Sequence, residues 1–102
     1  MQKLVLMTGL LLATSLVWAA GDKVAGEKAF NSKACMGCHG PAGKQPIDKS
    51  YPVLAGQPVA YTIAQLKAFQ TGKRDNPLMK PMAMQLTAPD IENIAAYLAA
   101  QK

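Results

Sequence analysis

The chain is 102 residues long, contains six aromatic side chains and carries a formal net charge of +5 at neutral pH. This length suits one small domain, and a domain of this size buries too little apolar surface to be comfortably stable without an additional stabilising element. The lysines are scattered singly along the chain, which argues against nucleic-acid binding.

Residues 1–20 have the pattern of a cleaved secretory signal peptide. Lys3 gives a positive start, residues 4–17 form an apolar run, and small residues follow where a signal peptidase cuts. We expect cleavage after Ala19 or Ala20. A membrane anchor needs about 20 apolar residues, and this run is shorter, so we expect no permanent anchor.

The remaining residues, 21–102, are predicted to form a single domain with ten basic and six acidic side chains. A first helix is predicted from Asp22, as N-cap, to about Ser32. Gly26 lies inside this helix, where glycine costs about 1 kcal/mol relative to alanine. We therefore expect another element to approach closely at that point. Phe30 lies one turn later, on the same face.

The most informative stretch is Cys35-Met36-Gly37-Cys38-His39, which holds the only thiols and the only imidazole of the chain. A C-x-x-C-H sequence is typical of c-type haem attachment. In that chemistry the two thiols add to the haem vinyl groups, and the imidazole of His39 reaches the iron from one face. One alternative is a redox disulfide, which would be expected beside a strand-helix-strand pattern. The other is a zinc site, which needs further ligands that the chain lacks.

Helix-breaking residues dominate the stretch after this motif. Residues 40–46 contain two glycines and two prolines and are predicted to be a loop. Pro52 and Leu54 lie in a short extended segment. Gln57-Pro58 is predicted to open a second helix, with proline at the first helical position, and Gly72 to end it. The apolar face of this helix consists of Val59, Ile63, Leu66 and Phe69.

Residues 73–84 contain two prolines, three methionines and four charged residues, which predicts a constrained loop rather than a helix or strand. A haem iron held by one histidine needs a sixth ligand if it is to transfer electrons without binding small molecules. No second histidine is present, so a methionine thioether is the candidate. Two of the six methionines belong to the leader and one lies between the cysteines. Three candidates remain: Met79, Met82 and Met84.

A last helix is predicted from Thr87, because Asp90 three residues later completes a capping box. Its apolar face runs to about Ala100. No repeat or linker interrupts residues 21–102, so the sequence predicts one compact all-α domain.

These features together resemble the class I c-type cytochromes, of the small soluble bacterial monohaem type and similar to one half of the dihaem cytochromes. The resemblance implies a small cytochrome c fold, with three main helices packed around one covalently attached haem. Beyond the haem motif it rests on pieces that span nearly the whole domain: Gly26, Phe30, residues 51–57, Gln65, Leu66, Phe69, Gly72, Met79, Met82 and residues 91–98 with Tyr97.

The resemblance also assigns roles to individual residues. It implies that the first helix crosses the last one where Gly26 faces Tyr97. It implies that the carbonyl of Pro52 accepts a hydrogen bond from His39, which fixes the orientation of the ring and raises its basicity as a ligand. It further implies that Leu54 contacts the haem.

The sixth ligand is also assigned by the resemblance. In the family this methionine lies about eight residues before the cap of the last helix, which selects Met79 over Met82 as the second metal ligand beside His39. Haem propionate partners are less specified, and polarity alone suggests Gln57, Tyr61 and Arg74.

The implied function is that of a periplasmic electron carrier with one haem c and no catalysis of its own. Two axial ligands would leave no open position for a substrate. Its partners would be reductase or oxidase complexes, bound transiently and partly by charge, and we expect a monomer. Three lysines in predicted loops could orient such partners: Lys44, Lys49 and Lys80.

Two other functions are left open by the sequence. A labile or absent methionine ligand would give an open sixth position, as in peroxidase-like or gas-sensing haem proteins, although the chain has no distal histidine. The protein could also be a haem subunit of a larger oxidoreductase. In every case the attached haem would stabilise this small domain, and we expect the apo-chain to fold poorly.

Overall fold

The computed structural model describes residues 21–102, and the predicted signal peptide lies outside the described residues. Within this range there is no strand, and no helix is long and apolar enough to cross a membrane. Three of the helices have ten residues or more. The predicted all-α class with three main helices is confirmed. The elements are α1 Lys23–Ser32, α2 Cys35–His39, a 3-10 turn Pro41–Gly43, α3 Val59–Thr71, α4 Met79–Met84 and α5 Ala88–Ala99.

The crossing of α1 over α5 is a close contact between backbones. A Cβ atom placed on Gly26 would overlap the carbonyl oxygen of Asn93 and lie 2.9 Å from Tyr97 Cβ. One turn on, the ring of Phe30 lies 5.7 Å from that of Tyr97, centre to centre. The predicted crossing at Gly26 and Tyr97 is confirmed, and the helix-weakening glycine is explained by the space that it leaves.

Both long helices at this crossing begin at the predicted caps. The Asp22 carboxylate accepts the N–H of Val24 at 2.9 Å. The Thr87 hydroxyl oxygen accepts the N–H of Asp90 at 3.2 Å, and the Asp90 carboxylate accepts the N–H of Thr87 at 2.9 Å. The hydrogen bond from the Thr87 N–H holds the pKa of the Asp90 carboxyl below its ordinary value. The sequence-predicted N-cap and capping box are confirmed.

The core lies between α1 and α5 and extends towards α3. Its largest fully buried side chains are Phe30, Ile91, Ile94 and Leu98, and the partly buried Leu54, Ile63 and Leu66 pack against them. Burial of this apolar surface is the main stabilising contribution that the chain supplies by itself.

The prediction that residues 73–84 form a loop was wrong at its C-terminal end, because Met79–Met84 is the helix α4. Pro81 is the third residue of this helix, where a backbone N–H has no intrahelical acceptor, so the missing donor of proline costs little there. Asn76 supports the helix start, since its side-chain oxygen accepts the N–H groups of Leu78 at 2.9 Å and Met79 at 3.0 Å.

Two smaller boundaries also differ from prediction. Pro58 lies at the N-cap of α3 and not at its first helical position. Its ψ of 143° is not helical, while its carbonyl oxygen accepts the N–H of Thr62 at 3.1 Å and so closes the first turn. The predicted loop at residues 40–46 includes the 3-10 turn Pro41–Gly43. Gly72 ends α3 as predicted, with a left-handed φ of 81° that suits glycine.

Candidate haem-binding site

A cavity of about 490 Å³ lies between α2, α3, α4 and α5. This volume is in the range of pockets that hold organic ligands, roughly 300 to 1,000 Å³. Its walls are mainly apolar and include Phe30, Leu66, Phe69, Leu86, Ile94 and Leu98. The fold brings all six residues predicted to bind the cofactor to this one cavity: Cys35, Cys38, His39, Pro52, Leu54 and Met79.

The short helix α2 places the attachment motif on the cavity wall. Cys35 and Cys38 are three residues apart on this helix and therefore share a face, and His39 follows at its end. The residue before the helix, Ala34, has a left-handed φ of 69°, which turns the chain sharply between α1 and α2. This turn costs conformational energy, since only glycine adopts that region freely.

The histidine is held by the segment that contains Pro52. His39 is nearly buried, with 6 % of its surface exposed, and its Nδ1 lies 3.0 Å from the Pro52 carbonyl oxygen. With the proton on Nδ1, the ring donates to this carbonyl and leaves the lone pair of Nε2 free to coordinate a metal. The local geometry thus has the arrangement that the resemblance implies for this pair.

Cys35 does not have the lowered pKa of a reactive redox cysteine. Burial raises the pKa of the Cys35 thiol to about 11, with a smaller contribution from the nearby Cys38. Reactive redox cysteines instead have lowered pKa values, which make the thiolate available at neutral pH. No strand flanks the motif within residues 21–102. Nor do His, Cys, Asp or Glu side chains of that range gather in threes as a metal cluster.

The three candidate sulfur ligands are separated by the structure. Met79 is the first residue of α4 and lines the cavity, as does Met82 one turn later. Met84 lies away from the cavity lining and is 58 % exposed. The Sδ atom of Met82 lies 3.7 Å from Gln85 Nε2, which also donates to the Lys33 carbonyl at 2.8 Å.

A polar edge of the cavity is formed by α3 and the chain that follows it. Arg74 Nη1 donates to Gln65 Oε1 at 2.7 Å, and its guanidinium lies 4.7 Å from the centre of the Phe69 ring. The buried Thr62 hydroxyl donates to Gln57 Oε1 at 2.8 Å. All three residues suggested as propionate partners line the cavity: Gln57, Tyr61 and Arg74.

Several residues that shape the site were not singled out by the sequence analysis. Asn76 could have been found, because asparagine commonly caps the N–H groups two and three residues later. Gln65 was recognised only as part of the family resemblance, and its bond to Arg74 joins residues nine positions apart. Gln70 carries no local signal at all, because its partners lie 13 and 16 residues further along the chain.

The donor set and the shape of the cavity fit a covalently attached haem. Two thiols on one helical face, an imidazole oriented for coordination and a thioether all border the same apolar space. The site has what c-type attachment requires from the protein: two sulfur atoms for the vinyl groups and at least one axial ligand.

Comparison with known proteins agrees with this geometry. The Cytochrome c family matches residues 24–102. Cytochrome c-554(548) of Halomonas halodenitrificans is 41% identical over 86 residues, which cover 81% of this chain and 100% of that protein. Cytochrome c4 of Thiocapsa roseopersicina is 43% identical over 81 residues, which cover 79% of this chain and 41% of that protein.

The fold is similar to a solved cytochrome c4. The structure from Acidithiobacillus ferrooxidans superimposes with a TM-score of 0.71 at 34% identity, covering 79% of this chain and 50% of the other. The chain thus spans about half the length or less of these cytochrome c4 relatives. Its cofactor is haem c with iron, attached through Cys35 and Cys38. The chain belongs to the cytochrome c family.

Proposed function

We propose that the protein is an electron carrier whose haem c iron has His39 and Met79 as axial ligands. The observation that carries this proposal is that one apolar cavity is bordered both by a histidine from α2 and by a methionine from α4. When bound, the haem supplies a one-electron couple between ferric and ferrous iron.

The contribution of His39 depends on its orientation. The hydrogen bond between Nδ1 and the Pro52 carbonyl oxygen fixes the tautomer, so that Nε2 is the coordinating atom. Such a bond also makes the imidazole a stronger donor to the metal. His39 is almost inaccessible to water, which protects this geometry from competing hydrogen bonds.

The contribution of Met79 is to occupy the sixth position with a neutral sulfur. A thioether opposite histidine favours the ferrous state and raises the reduction potential. It also excludes small molecules from the iron, as an electron carrier requires. The apolar cavity wall acts in the same direction, because a low dielectric disfavours the additional charge of the ferric state.

We propose a periplasmic location on the basis of the signal-peptide pattern in residues 1–20. The domain that follows has ten basic and six acidic residues. A positive surface of this size favours fast, weak encounters with acidic redox partners. The three lysines that the sequence suggested for this role are exposed: Lys44, Lys49 and Lys80. In this proposal the protein acts as a monomer between reductase and oxidase complexes.

The test is an optical spectrum of the exported holoprotein. We expect a low-spin ferric spectrum with a sulfur-to-iron charge-transfer band, and no change when carbon monoxide is added to the ferrous form. A high-spin spectrum, or ready binding of carbon monoxide, would instead assign the protein to the ligand-binding haem proteins. Co-purification in a stable complex would indicate a subunit of a larger oxidoreductase.

A further inference from the structure

Gln70 connects α3 to the far end of α4 from outside the cavity. It is the penultimate residue of α3 and does not line the cavity wall. Its side-chain Nε2 lies 2.8 Å from the Ala83 carbonyl oxygen and 3.1 Å from the Leu86 carbonyl oxygen. One amide group therefore donates to both the last turn of α4 and the link that leads to α5.

The Leu86 carbonyl depends on this donor because Leu86 precedes Thr87, the N-cap of α5, and so lies outside the hydrogen-bond pattern of that helix. The N–H of Asp90, four residues later, donates to the Thr87 hydroxyl in the capping box. Leu86 is nearly buried, so water has little access to its carbonyl group, whereas the carbonyl of the fully buried Ala83 also accepts the Leu86 N–H at 3.1 Å. A buried acceptor without a donor costs about 1 to 3 kcal/mol.

The helix α4 is too short to be stable by itself. α4 has six residues, and isolated helices of fewer than about 12 are marginal in water. Asn76 holds its first turn through the N–H groups of Leu78 and Met79. Gln70 holds its last turn, so side-chain amides fasten both ends of the segment that carries Met79.

We propose that Gln70 is a positioning residue for Met79, one that keeps α4 against α3 and so limits how readily the sixth coordination position opens. This inference rests on the proposed function, in which Met79 coordinates the iron. Gln70 does not touch the cavity itself, and it acts through the helix that it anchors.

Two substitutions distinguish the effect of the Gln70 hydrogen-bond donor from the effect of side-chain volume. Gln70→Leu keeps a similar size and removes both hydrogen bonds. Gln70→Glu keeps the shape, but an ionised carboxylate has no proton to donate and would face two carbonyl oxygens. Protonation restores one donor, so in Gln70→Glu the methionine ligation should weaken as the pH rises through the pKa of the new carboxyl group.

The experiment uses ferric holoprotein and imidazole as the competing ligand. We expect Gln70→Leu to bind imidazole roughly tenfold more tightly than wild type, the factor that corresponds to about 1.4 kcal/mol. Gln101→Leu is the matched control, because Gln101 Nε2 donates to the Tyr97 carbonyl at 2.9 Å near the end of α5. It removes the same kind of bond away from α4, and should leave imidazole affinity within about twofold of wild type.

The outcomes distinguish this inference from the proposed function. If wild type lacks the sulfur-to-iron band, the methionine ligation itself is wrong. If wild type has the band but Gln70→Leu and Gln101→Leu bind imidazole equally, Gln70 has no positioning role. Gln70→Glu gives an independent test within one folded protein, since a band intensity that stays constant from pH 4 to 9 would also overturn the inference.

Discussion

The α1–α5 crossing and the α4 segment are held in place by different interactions. At the crossing, Gly26 lets the α1 backbone approach the Asn93 carbonyl, and the neighbouring Phe30 is fully buried. The α4 segment has six residues and is fastened by the side chains of Gln70 and Asn76. The crossing sets the frame of the domain, while the amide-held helix carries the proposed ligand.

Removal of the haem should have the largest effect, since both regions border the space that it fills. Without the haem, the mainly apolar walls of this cavity of about 490 Å³ would be exposed to water and would lose their packing partner. A domain has a total stability of only about 5 to 15 kcal/mol. We expect the double substitution Cys35→Ala and Cys38→Ala, expressed without attached haem, to lose most of its far-ultraviolet helical signal. A cooperative, native-like thermal transition in this apo-protein would contradict this expectation, because it would show that the chain folds without haem.

Gly26→Ala should break the frame and leave the ligation chemistry intact. The added methyl group would overlap the Asn93 carbonyl oxygen, so the helices must separate, at a cost of about 1 to 3 kcal/mol. Denaturant titration of the holoprotein measures the loss. Gly37→Ala is the control, because a Cβ atom there meets nothing within 4 Å. Equal stabilities of the two variants would contradict the close-contact explanation.

Met79→Ala should have the opposite pattern, with a large effect on the iron and a moderate one on the frame. We expect loss of the sulfur-to-iron band, binding of carbon monoxide by the ferrous form and a lower reduction potential. Truncation of this partly buried side chain should cost about 2 kcal/mol of stability. The matched variant is Met82→Ala, which also lines the cavity and should keep the band. If Met82→Ala abolishes the band and Met79→Ala does not, the ligand is Met82.

The capping box of α5 predicts a small dependence of stability on pH. Its hydrogen bond to the Thr87 N–H lowers the pKa of the Asp90 carboxyl in the folded state. The stabilisation is therefore present above the unfolded pKa, near 3.9, and is lost as the pH falls through the lower folded value. We expect Asp90→Asn, which can still accept this bond, to remove that acid-dependent part. Unfolding free energies at pH 7, 4 and 2.5 should diverge between the two proteins by less than about 1 kcal/mol.

The smallest expected effect is at the turn between the frame and the haem motif. Ala34 has a left-handed φ of 69°, so Ala34→Gly should relieve strain and stabilise the holoprotein by about 0.5 kcal/mol, after allowing for the greater freedom of glycine in the unfolded chain. Ala25→Gly, inside α1, should instead destabilise it by about 1 kcal/mol. If both substitutions change the thermal stability in the same direction, the result would argue against strain at Ala34.

Much of the frame was predictable because its determinants are local in the chain. A cap such as Asp22, or the pair Thr87 and Asp90, acts over two or three residues. Helical spacing alone places Gly26 and Phe30 on one face. The haem motif is equally local, since its thiols and imidazole must reach one cofactor from five consecutive residues.

The α4 region was predicted less well because its conformation depends on distant groups. Composition alone suggested a loop at residues 73–84, since prolines and charges disfavour helices in general. The tertiary structure decides otherwise: Pro81 falls in a first turn, where no donor is needed, and Gln70 supplies hydrogen bonds to carbonyl groups 13 and 16 residues away. By itself, then, the sequence determined the fold class, the cofactor attachment and the caps of α1 and α5. Only the tertiary structure decided which methionines border the cavity and what holds them there, because those contacts join segments that no local pattern relates.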